Sequence, residues 1–441
     1  MIAPYGTWPS PLSAQQVAEQ GIRLAAVFLH EGELFWIEGR PSDGGRHVIV
    51  RRDRTGRVHD VGPPDFNART RVQEYGGGAV TFAGRVAYAS HFPDQRLYRM
   101  PLDAEPERPG VAEPITPDGP WRYADATVDV ARRRLIAVRE DHGRPAREAE
   151  TALVAIPLDG PPDAGRVMAS GHDFYASPRL SPDGRCLCWI AWRHPQMPWD
   201  GTELWAADLR DDGTLAPPRL VAGGPDESIY QPGWTAEGEL LFASDRDGWW
   251  RLYRAGAAGR GEVRPVLAAA PARTEFGRPM WTFGTAVWAS AGAGRLVVSA
   301  TADGRWRLAT IDLASGTLAD VPTPLEPGDW LAADATHAVL VAGTATQAAA
   351  VVRLDLATGQ HEVVRSSSTL VLEAGDVSAA ESMWCDAADG ARVHAFYYPP
   401  ANARCTAPAG ERPPLIVIER LAFDLERRPI EWRRSRGPAD R

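Results

Sequence analysis

The sequence predicts an all-β fold, a seven-bladed β-propeller, from three observations. Short apolar runs typical of strands recur at intervals of about 50 residues along the 441-residue chain. Turn-forming residues separate these runs, with Asp-Gly occurring nine times, and helical periodicity is nearly absent. Because strand spacing is a coarse guide to repeat number, six or eight blades also fit it. The seven runs begin at Glu33, Arg85, Arg134, Cys186, Glu239, Arg295 and His337.

Most runs are followed by a polar turn and a second strand, as in Arg96–Asp103 and Ala152–Gly160. Aspartate tolerates a left-handed backbone and glycine adopts positive φ without steric cost, so Asp-Gly suits tight turns between strands. A four-stranded blade cannot bury both faces alone, whereas stacking between two neighbours in a ring buries both. The units from Ser177 and from Gln231 resemble the Pro-Asp-rich repeats of TolB-type and peptidase propellers.

Composition narrows the classes of function. The net charge of −9 argues against a protein that binds nucleic acid or an anionic membrane through electrostatics. The chain contains no lysine, which excludes chemistries that need one, such as Schiff bases and Walker A phosphate binding. Cys186 and Cys188 are interpreted as buried thiols. With no signal-peptide pattern in residues 1–20 and no apolar run near 18 residues, we expect a cytoplasmic protein.

The most specific motif is the run from Asn67 to Phe82, NARTRVQEYGGGAVTF. It resembles the His-Glu-Tyr-Gly-Gly-Gly segment of acylaminoacyl- and dipeptidyl-aminopeptidase-like enzymes of the prolyl oligopeptidase family. Gln73 occupies the position of the family's usual histidine. The opening from Ala3 and the segment from His394 to Ile418 are similar to the same enzymes. The resemblance implies a propeller that covers the active site of a serine peptidase acting on short peptides.

The resemblance also implies the domain organisation. Residues 1–24 would pack on a hydrolase domain, 25–372 would form the propeller, and 373–418 would begin an α/β-hydrolase domain with its first strand hairpin. Residues 13–26, which run from the first of these regions into the second, predict a helix capped by Ser13. Residues 419–441 depart from the family, because they hold seven arginines and five acidic residues among 23. We expect this tail to be out of frame or disordered, with an exposed charged helix as the alternative, and the catalytic domain to be missing.

The search for a catalytic centre supports that expectation. A serine hydrolase of this fold needs a G-x-S-x-G nucleophile elbow, and the chain contains none. No catalytic residue is therefore predicted, and the scattered histidines predict no metal site and no cofactor. Glu74 and Tyr75 are the candidate substrate-binding residues, since the Glu74 carboxylate is suited to pair with a peptide's free amino group. The competing interpretation is that Gly76–Gly78 let the backbone approach a neighbouring blade or the channel closely.

Other conspicuous residues receive structural interpretations. Arg71 is expected in a surface or inter-blade ion pair rather than on a substrate carboxylate. The tryptophans at 189, 192, 249 and 250 are expected between blades, and Arg132–Arg134 in a solvated turn. Asp245, Asp247 and Asp303 raise a calcium-dependent propeller enzyme as a minor alternative, but each lies in a turn.

The leading functional expectation is the substrate-gating propeller of a prolyl oligopeptidase family peptidase, inactive by itself. The alternative is a stand-alone TolB-like propeller that mediates protein–protein interaction. Short peptides are the expected partners of the intact enzyme, with no nucleic acid and no membrane. We also expect self-association, because Tyr5, Trp8 and Leu12 and the 396–398 aromatics would expose the apolar surface that faces the hydrolase.

Overall fold

The fold is a seven-bladed β-propeller, as predicted. The computed structural model describes residues 1–19, 21–103, 110–144, 148–292, 294–386, 390, 392–414 and 416, so the tail 419–441 lies outside the described residues. Seven antiparallel sheets follow one another in sequence, and each supplies its first strand to the centre of the ring. Within the described ranges no helix has the length and apolarity to traverse a bilayer.

Each blade is built from one continuous stretch of chain, in the order inner to outer strand except where noted. Blade 1 contains β1 (Arg23–His30), β2 (Glu33–Arg40), β3 (Arg46–Arg52) and β4 (Val58–Val61). Blade 2 contains β5 (Val80–Ala83), β6 (Val86–Ser90), β7 (Leu97–Pro101) and β8 (Glu113–Pro114). Blade 3 contains β9 (Trp121–Asp129), β10 (Arg134–Asp141), β11 (Glu150–Pro157) and β12 (Arg166–Ala169). Blade 4 contains β13 (Phe174–Leu180), β14 (Cys186–Trp192), β15 (Glu203–Asp208) and β16 (Arg219–Gly223).

Blade 6 has a divided inner strand. Blade 5 contains β17 (Ile229–Trp234), β18 (Glu239–Ser244), β19 (Arg251–Ala257) and β20 (Arg260–Pro265). Blade 6 contains β21 (Thr274–Glu275), β22 (Trp288–Ser290), β23 (Arg295–Ala302), β24 (Arg305–Asp312) and β25 (Thr317–Asp320); β21 and β22 both pair with β23. Blade 7 contains β26 (Glu326–Ala333), β27 (His337–Gly343), β28 (Ala350–Asp355) and β29 (His361–Ser366). A separate hairpin follows, β30 (Glu381–Asp386) and β31 (Arg392–Tyr397).

The ring closes by side-chain packing between the first and last blades. Trp36 on β2 is fully buried in a cluster that joins the two blades. Two ion pairs cross the same seam, Arg365 with Glu38 at 2.8 Å and Arg52 with Glu362 at 2.8 Å. The apolar members of the cluster are Leu24, Val27, Leu34, Trp36, Val48, Val50, Val339, Val341 and Val351. Since blade 7 is made of consecutive strands, no strand exchange between the chain ends is needed to hold the ring.

A β-bulge recurs in the inner strands and ties neighbouring blades together. Asp125 and Gln231 adopt left-handed backbone at register shifts, with φ of 51° and 47°. The Asp125 carboxylate accepts hydrogen bonds from the Ser177 amide at 2.7 Å and from Arg179 at 2.9 Å. Gln231 likewise accepts one from the Val287 amide at 2.6 Å. Each bulged side chain thus satisfies a backbone donor of the next blade, which would be costly to leave unpaired.

The helix predicted over 13–26 is wrong in its second half. Ser13 does cap a short helix, since its hydroxyl accepts a hydrogen bond from the Gln16 amide at 3.1 Å, but α1 spans only Ala14–Glu19. Gly21 follows, and β1 begins at Arg23. The Leu- and Val-containing run buries its side chains in the seam with blade 7, and this tertiary packing outweighs the helix propensity of its alanines.

The terminal segments lie on one face of the ring, where the chain passes from blade to blade; we call it the interblade face. Gly304, in the turn between β23 and β24, lies under the hairpin, so a Cβ there would meet the Phe396 ring at 2.9 Å. Arg305 donates to the Ala380 carbonyl at 2.6 Å. The chain start joins this layer, because the Ala3 amide donates to the Thr406 carbonyl at 3.0 Å.

Candidate functional site

A cavity of about 380 Å³ occupies the centre of the ring. Its lining residues come from six blades, mostly from the inner strands and the loops next to them, which identifies it as the channel of the propeller. The wall includes Arg23, Ala25, Phe28, His47, Arg69, Tyr75, Val80, Asp125, Arg179 and Phe283. Arg23 starts β1 and Arg69 lies in the connection to β5, so both stand at the interblade face, and Phe28 lies deeper along β1.

The loop with the Glu-Tyr-Gly-Gly-Gly motif crosses the end of this cavity. It leaves blade 1 and enters blade 2, yet the Phe283 amide of blade 6 donates to the Gly76 carbonyl at 2.9 Å. The Asp125 amide of blade 3 donates to the Gly78 carbonyl at 2.8 Å. The motif therefore connects three blades at the channel mouth.

The three glycines are required by close approach. A Cβ on Gly76 would lie 2.3 Å from the Thr70 carbonyl oxygen, and one on Gly77 would lie 2.4 Å from that of Phe283. Their φ angles of 68° and 87° disfavour other residues in addition. The geometry therefore supports the structural interpretation of Gly76–Gly78.

Glu74 and Tyr75 project from this loop toward solvent. The Glu74 carboxylate is 76% exposed and pairs with Arg122 at 2.8 Å, so an incoming amino group would share it with a guanidinium. Tyr75 is 61% exposed, lines the cavity and contacts the Trp281 ring edge-on at 5.4 Å. Trp199 packs on the other side of Trp281, with ring centres 4.5 Å apart. The mouth thus has an aromatic side built from three blades.

Gln73 has a structural role at the position where the related enzymes carry histidine. Its side-chain amide donates to the Tyr175 carbonyl at 3.1 Å, and its backbone amide donates to the Glu140 carboxylate at 2.8 Å. These bonds join the loop to blades 3 and 4.

The opposite side of the mouth is basic. Arg23 and Arg69 line the cavity and, among the described residues, neither forms an ion pair. Arg69 lies over the Phe92 ring at 4.7 Å, and Arg71 lies over the same ring at 5.2 Å. The prediction that Arg71 forms an ion pair is therefore wrong within the described part of the chain. Its guanidinium packs on the Phe92 ring and not against a carboxylate. Sequence analysis did not single out Arg23 or Arg69.

His47 lines the same cavity as these two arginines. Burial, then the charges of Arg69 and Arg23, lower its pKa to about 4. The imidazole is consequently neutral at neutral pH, and the positive charge of the mouth resides on the guanidinium groups.

Outside the cavity, the described residues include one serine–histidine contact, which sequence analysis also missed. The Ser382 hydroxyl lies 2.8 Å from Nε2 of His394, across the β30–β31 hairpin. The imidazole is wedged against the Trp384 and Phe396 rings, and among the described residues no carboxylate pairs with it. A catalytic triad needs a third group that orients the imidazole and an oxyanion hole, so this pair alone does not form an active site.

The aspartates considered for calcium do not converge. The Asp245 carboxylate accepts from the Ser228 amide at 2.7 Å, and Asp247 pairs with Arg251 at 3.0 Å. In the ranges that the structure covers, no group of three histidine, cysteine, aspartate or glutamate side chains is placed to hold a metal. All four cysteines are free, and burial raises the pKa of Cys186 and Cys188.

Comparison with known proteins finds solved structures that share this fold. No protein-family model and no curated protein sequence matches the chain. Among solved structures, a puromycin-hydrolyzing peptidase of Mycobacterium tuberculosis is 36% identical, with a TM-score of 0.85 over 94% of this chain and 64% of that chain. A puromycin hydrolase structure is 35% identical, with the same TM-score and coverage. Prolyl oligopeptidase B from Galerina marginata is 12% identical, with a TM-score of 0.65 over 86% of this chain and 56% of that one, and shows the fold alone.

The chain thus spans less than two thirds of the length of these structures. The 94% of this chain that the first two structures match is more than the seven blades alone occupy. The chain is therefore a seven-bladed propeller that matches the propeller portion of puromycin-hydrolyzing peptidases and of prolyl oligopeptidases.

Proposed function

We propose that this chain is the substrate-gating propeller of a serine peptidase that acts on short peptides. The observation that carries the proposal is the central cavity, which is walled by six blades and opens on the interblade face. A cavity of about 380 Å³ accommodates a few residues of extended peptide and excludes a folded protein. The 36% identity to a puromycin-hydrolyzing peptidase supports a hydrolase as the whole enzyme, and the acylaminoacyl- or dipeptidyl-aminopeptidase class remains part of this proposal.

Residues 1–441 by themselves are proposed to be catalytically inactive. The support is the lack of G-x-S-x-G in the sequence and the lack of an orienting carboxylate for the Ser382–His394 pair among the described residues. The test is an assay of the purified chain with aminoacyl and acyl-aminoacyl chromogenic substrates, with Ser382→Ala run in parallel. We expect no turnover by either protein. Turnover that Ser382→Ala abolishes would refute the proposed inactivity.

Peptide access to the cavity is tested by photo-crosslinking. A tripeptide that carries a benzoylphenylalanine should label the cavity walls, including the loop 67–82. Ala126→Trp, which fills the cavity from β9, should abolish this labelling, whereas Thr317→Trp on the exposed outer strand β25 should leave it unchanged. Labelling confined to the outer strands, or insensitive to Ala126→Trp, would contradict the proposal.

The setting and association state are also proposals. We propose a cytoplasmic location, for which the free buried cysteines Cys186 and Cys188 are the support. We further propose that the chain self-associates through the interblade face, because Phe396, Tyr397 and Tyr398 expose apolar surface there.

A further inference from the structure

The channel mouth has an imbalance of charge that no contact within the described protein relieves. Of the charged residues that line the cavity, Arg23, Arg69 and Arg179 are cations and Asp125 is the single carboxylate in the described lining. Asp125 is already bound to Arg179 at 2.9 Å. Two guanidinium groups therefore remain unneutralised at the mouth of a protein whose net charge is −9.

The two arginines are held in place by the fold and not by a carboxylate. Arg69 lies over the Phe92 ring at 4.7 Å, a contact that positions a guanidinium and leaves its N–H donors available. Arg23 is the first residue of β1, and a Cβ on Gly39 would lie 3.3 Å from the Arg23 Cβ and 3.2 Å from the His47 ring. Both arginines are exposed, so a ligand in the cavity can reach them. A guanidinium with free donors recognises carboxylates in a planar, two-pronged manner.

The cavity behind this rim is apolar. Ala25 and Phe28 of β1 and Val80 of β5 line the wall below Arg23 and Arg69. A ligand that suits both parts has an anionic group that remains at the rim and an apolar group that points inward. The last residue of a peptide has this form, since its carboxylate and side chain leave the same Cα. A glutamate or aspartate side chain would instead bring its carboxylate to the rim with peptide backbone on both sides.

We infer that Arg23 and Arg69 form a carboxylate subsite that holds the C-terminal carboxylate of a peptide in the propeller cavity. This inference rests on the proposed function, because it names the part of the peptide that the gating cavity recognises. The His47 ring, which is uncharged at neutral pH, also lines the cavity. Tyr75 lines it from the aromatic side of the mouth.

The test compares three N-acetylated tripeptides by calorimetric titration of the full 441-residue chain at low salt. The first ends in phenylalanine with a free carboxylate, the second is its C-terminal amide, and the third is an amide with a central glutamate. We expect the free acid to bind about tenfold more tightly than either amide, as one charge-assisted contact would produce. Arg23→Gln and Arg69→Gln should each remove most of this difference and leave binding of the amides unchanged.

Arg264→Gln is the matched control, because it removes the same charge from the exposed outer strand β20 and should preserve the preference for the free acid. Equal binding of the free acid and its amide would overturn the carboxylate subsite and leave the proposed peptide-binding function standing. Equal binding of the free acid and the glutamate peptide would overturn the assignment to the C-terminus. Loss of amide binding in the arginine variants would also overturn it, and failure of all three peptides to bind would refute the proposed function itself.

Discussion

The ring and the segments on its interblade face are stabilised differently. Each blade buries both of its faces against neighbours, and the seam between blades 1 and 7 contains Trp36, which is 0% exposed, with two ion pairs at its edge. The β30–β31 hairpin packs on blade 6 through one side, and Tyr398 just beyond it is 62% exposed. The ring thus consists of blades packed on both faces, whereas the hairpin layer leaves aromatic surface exposed that is suited to a further contact.

The largest expected effect comes from the seam. Trp36→Ala should lower the free energy of unfolding by about 3–5 kcal/mol, because it removes a fully buried indole and leaves a cavity between the first and last blades. Denaturant unfolding followed by circular dichroism measures this change. Trp281→Ala is the matched control, since that ring is 52% exposed, and we expect it to cost less than about 1 kcal/mol. Similar losses in the two variants would show that the seam does not hold the ring.

The loop across the channel should be nearly as sensitive. Gly77→Ala places a Cβ 2.4 Å from the Phe283 carbonyl oxygen and also strains a φ of 87°, so we expect a loss of about 2–4 kcal/mol. Gly44→Ala has a similar left-handed φ of 60° but open space around the Cβ, and should cost only about 1 kcal/mol. Thermal unfolding of both variants separates the clash from the strain. Equal melting temperatures would argue against the close approach of blades 2 and 6.

A smaller effect depends on pH. Burial and two arginines depress the pKa of His47 to about 4, below its ordinary value of 6.5, so the unfolded chain takes up this proton first. The stabilising contribution is therefore complete above pH 6.5 and is lost progressively as the pH falls toward 4. His47→Gln should flatten the decline of the melting temperature between pH 7.5 and pH 5. His361→Gln, at an exposed histidine on β29, should retain the wild-type slope, and a wild-type slope in His47→Gln would contradict the environment described for His47.

The smallest effect on stability is expected in the hairpin layer. Tyr398→Ser should change the free energy of unfolding by less than about 0.5 kcal/mol, because the ring is mostly exposed. The same change should reduce self-association, which sedimentation velocity measures over a range of concentrations. An unchanged distribution of species would remove the interblade face as the proposed contact surface.

The repeated strand and turn pattern made the architecture predictable, whereas the contacts between distant loops could not be predicted. Seven runs with Asp-Gly turns predict seven blades because each turn and strand is local. The first four residues of β1 were predicted as part of a helix, because the burial of this strand depends on packing with blade 7, more than 300 residues away. The contact of Gly77 with Phe283 and the Ser382–His394 pair depend on packing and register that no local pattern encodes. Arg23 and Arg69 carry no motif, and only the shared cavity brings them together.

Hydrogen–deuterium exchange of the full chain, read at peptide resolution, tests most directly whether the ring is closed and complete. The account predicts that β2 of blade 1 and β27 of blade 7 are protected as strongly as β14 and β18 of the middle blades, and that the β30–β31 hairpin exchanges much faster. Exchange in blades 1 and 7 as fast as in the hairpin would contradict it, because the seam around Trp36 would then not hold the two ends of the ring together.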